Sequence, residues 1–336
     1  MTREYILPEN ETVYKANLHC HSTCSDGAMS TEELKALYKS KGYNVLAYTD
    51  HHTYRYHKDL ADETFLPLAG YELNFDKFDS KRRLNKTCHI NAIAIDPDKA
   101  IPIEGKGIYK VDVINDAVKR LRENGFVVNL NHPSWSNQGP EEVLQFDGFT
   151  AIELYNSCCT RTYNSGENQS HYDAWLKAGK KGFAIAADDN HASCNEFSPF
   201  YAGGYSADVK QLPRDSVSQV PSMDCCCGYT MIYAPELSYK VILESFIAGK
   251  FYCSTGPKIL AYYIENDKIC IDCSPVRAIF LKTMAWGLSS SVMDPNERIT
   301  HAEFDLKRLK ENDEEFFRLE LIDRNGGMAY TNPYYF

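Results

Sequence analysis

Nowhere in the sequence do about eighteen apolar residues follow one another, the minimum for a helix across a bilayer. No basic segment near the N-terminus leads into an apolar run and a small-residue cleavage site, so a cytoplasmic location without a membrane partner is expected. Positive charge is also in deficit: Lys and Arg number 36 against 46 Asp and Glu, a formal net charge of −10. That excludes an extended nucleic-acid surface, whose affinity comes from many cationic contacts that release counterions. The 12 cysteines do not sit in a short secreted chain, so they read as reduced thiols rather than a disulfide framework. Cys270-x-x-Cys273 lacks a second Cys or His pair at zinc-ribbon spacing, and the run Cys225-Cys226-Cys227 cannot place three thiols comfortably around one ion. Internal repeats and low-complexity tracts are absent too.

What the chain does have is a rhythm. Its 336 residues, 43% hydrophobic, are enough for one large core or a large and a small one. Short apolar runs alternate with helical patterns over the first three-quarters. "NLHCH" is followed by "STEELKALYKSKG", where Ser30 and Glu33 form a capping-box pattern and Gly42 is a C-terminal stop. The sequence then offers "NVLAYT", "FLPLAGYEL", "TCHINAIAI", the helix "VDVINDAVKRLRENG", "FVVNL", "FTAIELY", the helix "QSHYDAWLKAG" and "GFAIAA". Such alternation predicts βα units in a mostly parallel sheet or barrel, with chemistry in the loops at the C-terminal strand ends. Residues 192–228 break the rhythm as a long excursion near the mouth, with Phe197, Phe200, Tyr201 and Tyr205 as anchors and Lys210 and Arg214 as basic residues. After the helix "PELSYKVILESFIAGK" the pattern turns to short alternating segments, which predicts an all-β appendage. The expected division is 1–257 for the α/β part and 258–336 for a small β-sandwich-like part.

The polar residues at the strand ends are not mixed. On an extended segment, side chains i and i+2 share a face about 6.5–7 Å apart, so His19 and His21 can converge on one ion while Cys20 points into the packing. Asp26 follows in the next loop. His51 follows the second strand, Glu72 ends the third, His89 lies in the next, His132 ends "FVVNL", and Asp189 and His191 follow "FAIAA". Six histidines and three carboxylates at one rim exceed what a single ion takes and point to two or three.

In kind and order, "NLHCHSTCSDG", "YTDHH", "GYEL", "TCHINAIAID", "NLNHP" and "ADDNH" resemble the motifs of the PHP (polymerase and histidinol phosphatase) family, over about residues 14–257. The resemblance implies a distorted seven-stranded (β/α) TIM-like barrel with up to three divalent ions. It implies that His19, His21, Glu72 and Asp189 hold the first ion, that Glu72 bridges to a second held also by His89 and His132, and that Asp26, His51 and His191 hold the third. The part from "GYTMIYAPELSYK" onward is similar to stand-alone PHP phosphoesterases with a β-rich tail. His52 and Asn131 depart from common versions of the motifs without removing a ligand.

Such a site is cationic on an acidic protein, since three divalent ions outweigh three carboxylates, and it suits a small anionic phosphorylated substrate or a nucleotide. Imidazole and carboxylate without cysteine suit zinc, manganese or iron(II). A water between two ions, acidified to hydroxide, would attack the phosphorus of an ester, making the chain a metal-dependent phosphoesterase. Glu72 and Asp189 would serve this chemistry directly. His52, Asp188 and His57 are candidates to give the leaving group a proton, and Arg161 to meet substrate phosphate. Asp50 is a candidate to orient His51. His171 and His301 fit structural roles. Two other readings are an amidohydrolase-type C–N hydrolase and a catalytically silent PHP-like binding protein.

Overall fold

The computed structural model describes residues 3–191 and 225–336; the excursion expected at 192–228, with its Phe, Tyr, Lys and Arg residues, lies almost entirely outside the described residues. The elements that carry the site follow the apolar runs closely. The strands are β1 (Thr12–Asn17), β2 (Val45–Tyr48), β3 (Leu66–Phe78), β4 (Leu84–Ala94), β5 (Phe126–Leu130), β6 (Ala151–Asn156), β7 (Phe183–Ala187), β8 (Tyr229–Ala234) and β9 (Phe251–Ser254). The helix Thr31–Ser40 starts at a capping box in which Ser30 Oγ accepts the Glu33 N–H while the Glu33 carboxylate accepts the Ser30 N–H. In the helix Val111–Glu123 the buried residues Ile114, Ala117, Val118 and Leu121 recur at helical spacing, forming one stripe that seals against the sheet.

The architecture is mixed α/β, built on a large sheet of 15 strands and a second sheet of 4. Strands β1, β2 and β3 pair in parallel, as do β5, β6 and β7. Between the two runs lies β4, antiparallel to both β3 and β5. A mostly parallel sheet was the expectation, and the reversal has a local cause. Residues 79–83 form a tight turn, closed by Asp79 accepting from the Lys81 and Arg83 N–H groups, that leaves no length for a crossover helix.

The expected closed barrel does not form by strand pairing. No ladder among the described residues joins β7 to β1 or β8. The chain beyond β7 instead returns beside the segment that follows β1 and is stitched there by single bonds. Asp188 N–H donates to Asn17 Oδ1 (2.9 Å), Asp189 N–H to His19 O (3.0 Å), and His21 N–H to Asn190 O (2.9 Å). These bonds bring the two ends of the site together.

The tail supplies β10 (Ile259–Glu265), β11 (Lys268–Val276), β12 (Ala278–Thr283), β13 (Ser290–Met293), β14 (Ile299–Asp305), β15 (Phe316–Ile322) and β16 (Met328–Thr331). It is not purely β: the helix Leu306–Glu311, capped by Asp305 accepting from the Arg308 N–H, is too short to stand out as a periodic pattern. Its strands also do not keep to themselves, because β16 pairs with β9 and so continues the large sheet. With the short strand Glu4–Tyr5, strands β10, β11 and β14 form the smaller sheet, whose Tyr262 and Ile271 share an apolar cluster with Leu319 of β15 in the large sheet.

Candidate metal centre

Strand β1 ends at Asn17, so His19 and His21 stand on an extended continuation rather than within the strand. The continuation is held on both sides, by Asn190 and by the Thr49 N–H donating to Cys20 O. Asn17 adds a clamp, its side-chain amide donating to His19 O (3.0 Å). Alternation then acts as expected: Cys20 is fully buried in the cluster with Leu34 and Tyr38, and both imidazoles turn inward. Their Nε2 atoms are 3.1 Å apart.

All nine strand-end groups are brought to this place. Glu72, 1% exposed, lies at the centre. His89 Nδ1 is 3.0 Å from its carboxylate, His51 Nδ1 3.1 Å, His19 and His21 Nε2 3.3 Å, and His132 Nε2 3.5 Å. Asp189 Oδ1 approaches His21 Nε2 at 3.0 Å and His19 Nε2 at 3.1 Å. Toward solvent, Asp26 comes within 3.7 Å of His21 and His51 and 3.6 Å of His191. Donor atoms of His19, His21, Glu72 and Asp189 lie within 4.8 Å of one another, and so do those of His21, Asp26, His51 and His191. His51, Glu72 and His89 form a third such group.

This geometry fits divalent cations. Lone-pair donors face one another at about 3 Å, and the buried Asp189 Oδ1 and His21 Nδ1 have no well-directed hydrogen bond. Protons must substitute for cations in the metal-free protein. Burial opposes charge on His19, but Asp189, Glu72 and Glu153 outweigh it and raise its pKa well above the ordinary value. Burial likewise opposes charge on His21, yet the Asp189 and Glu72 carboxylates close to its Nε2 push it up to about 9. For Glu72 and Asp189 the surrounding histidines overcome burial and hold both carboxyls below the usual range. His51 goes the other way, to about 4, because burial prevails over the attraction of Glu72.

Three side chains that sequence reading passed over complete the setting. Glu153, fully buried in β6, accepts from His19 Nδ1 (2.7 Å), the His132 N–H (3.0 Å) and Asn156 Nδ2 (2.9 Å). A proton fixed on His19 Nδ1 leaves Nε2 as a lone-pair donor facing the centre. Asn156 also donates to Asp189 Oδ2 (3.1 Å), and Ser136 meets His132 Nδ1 (3.1 Å). The only sequence signal for Glu153 was a charged residue amid the apolar run "FTAIELY", where an unpaired acid would be costly. Asn131, noted as a departure, donates to Glu72 Oε1 at 2.6 Å. Asp189 and His132 adopt left-handed φ of 54° and 25°, conformations that non-glycine residues rarely take.

Other candidates fall elsewhere. Asp50 does not contact His51 through its carboxylate; it accepts from the Ser22 N–H, Ser22 Oγ and Ser25 Oγ, each at 2.8 Å, and so shapes the loop before Asp26. Asp188 is buried and tied up by the N–H groups of Cys226, Cys227 and Gly228 and by Tyr38 Oη, although burial raises its pKa to about 6. His52 has φ 55°, a ring 5.8 Å from that of His51, and a pKa lowered by burial and by Lys106. Arg161, on the helix Ser157–Tyr163, lines a 560 Å³ cavity with Tyr155, Tyr229 and the turn around Gly326 in the tail. His171 Nε2 donates to Gln138 O (2.8 Å) and His301 pairs with Asp272 (2.7 Å), both away from the centre.

None of the curated proteins matches the chain. Among solved structures, a two-domain protein of Bacteroides vulgatus, named as containing a PHP-like metal-dependent phosphoesterase, aligns over 99% of each chain at 16% identity and TM-score 0.47. A protein of Bifidobacterium adolescentis named for metal-dependent phosphoesterase activity aligns over 52% of this chain and 87% of its own at 12% identity and TM-score 0.36. An amidohydrolase of Chromobacterium violaceum, solved with sulfate and no metal, aligns over the same shares at 17% identity and TM-score 0.39. The stretch from Asn17 to Phe146, which carries the groups from His19 to His132, matches a single family. Residues 17–146 of this chain match the PHP domain family.

Proposed function

We propose that the chain is a metal-dependent hydrolase of small phosphate esters, and that His19, His21, Asp26, His51, Glu72, His89, His132, Asp189 and His191 hold two or three divalent ions. The observation that carries this reading is the convergence of nine metal-competent groups around Glu72, most of them buried. Bound there, divalent ions supply Lewis acidity toward phosphoryl oxygens and lower the pKa of water. The donor set of imidazole and carboxylate suits zinc, manganese or iron(II).

The protein's own residues set the geometry. Glu153 and Asn156 fix His19 and Asp189, Ser136 fixes His132, and Asn131 fixes Glu72, so the donors are in place before any cation arrives. Glu72 and Asp189 are the carboxylates placed to act on the reacting centre. His52 is the imidazole we assign to proton transfer. Its lowered pKa keeps it neutral near pH 7, which suits taking a proton more than giving one. Arg161 is the cation we assign to the substrate, since a phosphate or polar leaving group entering the cavity it lines would meet its guanidinium. Nothing among the described residues singles out a nucleotide, so the reading stops at a small phosphate ester. We take residues 1–257 as the catalytic unit and 258–336 as a β-rich unit joined to it through β9 and β16.

Metal analysis of the purified protein, paired with a panel of phosphate monoesters and diesters, tests the reading. Phosphate release that stops with chelator and with His19→Ala is expected. A metal-loaded protein that ignores every phosphate ester but cleaves amide bonds would replace it with C–N hydrolysis.

A further inference from the structure

A second group of metal-competent side chains lies outside the nine. Cys24, Asp50 and His57 each present a donor atom, all within 4.8 Å of one another, and none of the three belongs to the centre around Glu72. Each comes from a different segment: the loop after His21, the end of the second strand, and the turn before Leu60. Asp50 is 2% exposed, whereas Cys24 and His57 are half-buried, so an ion can reach them while the carboxylate stays dry.

The hydrogen bonding leaves room for a cation. Asp50 Oδ1 already accepts two bonds, from the Ser22 N–H and Ser25 Oγ, but Oδ2 accepts only that from Ser22 Oγ and keeps a lone pair. His57 Nε2 is buried and has no hydrogen-bond partner, an uncompensated polar atom that needs explanation. Its ring is steadied against Tyr48, centroids 4.9 Å apart. Arg55 Nη1 donates to Cys24 Sγ at 3.5 Å and steadies it through this one contact. Together these make one soft and one borderline donor, a carboxylate, and an open side toward solvent. That is the pattern of three protein ligands with a free position.

We propose that Cys24, Asp50 and His57 form a separate site for a thiophilic divalent cation of the zinc type. On binding, the Cys24 thiol loses its proton to solvent, Sγ bonds the cation, and Asp50 and His57 contribute lone pairs without any change of oxidation state. The ion would tie the loop that carries Asp26 to the turn after His51. Site occupancy would therefore set the position of the most exposed carboxylate of the neighbouring centre.

Cobalt(II) tests this without reference to activity. None of the nine groups around Glu72 is a thiolate, so a thiolate-to-cobalt charge-transfer band arises outside that centre, and cysteine variants locate it. Chelator-treated full-length protein titrated with Co²⁺ is expected to develop a band corresponding to one thiolate per chain. The band should vanish in Cys24→Ser. In His57→Ala it should require at least about tenfold more cobalt. It should persist in Cys227→Ser, and in Glu72→Gln, which disables the proposed hydrolytic centre but not this site. A wild-type protein that binds cobalt with no such band, or a band that survives Cys24→Ser, would overturn the assignment.

Discussion

Two regions of this molecule bury charge, and they settle it in different ways. At the junction of the helix Gln169–Lys177 with β15, Arg318 is fully buried yet matched inside the protein. Its guanidinium reaches Asp173 and Glu320, Gln169 donates to Glu320 at 2.6 Å, and the Tyr172 ring lies 5.3 Å away. Arg318 meets two carboxylates, and the one partly open to water, Asp173, is also 3.8 Å from Lys282 Nζ. Around Glu72 the inventory does not close in this way. Glu72, Asp189 and Glu153 are buried and form no ion pair with Lys or Arg among the described residues, and only imidazoles that must take up protons compensate their charge. The first region balances its charges from within the protein, though Arg318 Nε stays buried without a hydrogen-bond partner, and holds two parts of the chain together; the second balances only with protons or cations from outside.

Removing the central acid should break this contrast most severely. Glu72→Gln takes a charge from the point that five histidines share, and a lost Lewis-acid arrangement is worth several kcal/mol of barrier. Phosphate-ester turnover is expected to drop by about 10³-fold or more, with at least one ion fewer by metal analysis. The thermal midpoint of the chelated protein should change little, because the histidines paired with Glu72 can release their protons when its charge is removed. Arg318→Ala should do the reverse. Truncating one partner of a buried ion pair costs about 3–5 kcal/mol, so chemical denaturation should register a large loss while turnover per folded molecule and metal content stay put. A destabilised Glu72→Gln beside a neutral Arg318→Ala would erase the distinction.

How legible each region was in the sequence follows from the same physics. The run of the strands could be read because apolar stretches such as "FVVNL" become strands with the same ends, and the nine candidate groups because each sits next to such a stretch. Reversal of β4 could not be read: the same apolar run serves either direction, and only the length of the 79–83 turn decides it. Nor could closure, since single bonds from Asp188, Asp189 and Asn190 replace a ladder and leave no periodic trace. Arg318 looked like any charge in the alternating pattern "FFRLELID"; its burial depends on a helix about 145 residues earlier. Glu153 was hidden for the same reason, because a buried acid declares itself only through the partners that the fold delivers.

The proton count sharpens the comparison further. His21 has a folded-state pKa of about 9 against an ordinary value of 6.5, so its contribution to stability is full below pH 6.5 and is lost as pH rises through about 9. His51, lowered to about 4, costs stability as pH falls from 6.5 toward 4, because the unfolded chain takes up the proton first. Chelated protein should therefore be most stable near pH 6.5, with the alkaline loss approaching about 1.4 kcal/mol per pH unit from His21. Metal-loaded protein has already released that proton and should not show the alkaline decline. Denaturation series from pH 5 to 10, with and without metal, check this, and identical profiles would mean that cations do not replace the proton on His21.

The finest test concerns a residue that would touch no ion. Glu153 lies between the two kinds of buried charge: like Glu320 it is satisfied by protein donors, but one of those donors is His19. Glu153→Gln keeps the shape and still lets one oxygen accept from His19 Nδ1. Its new amide N–H groups then face the His132 N–H and Asn156 Nδ2, where donors meet donors. His19 and Asp189 lose their fixed orientation, and the affinity of the ion they share is expected to weaken by about 10–100-fold. Ions held toward Asp26, His51 and His191 should bind as before, since none of these residues contacts Glu153. A purely structural Glu153 would lower stability and leave all ion affinities equal, whereas a positioning residue weakens one ion selectively. Stepwise metal titration by calorimetry separates the two.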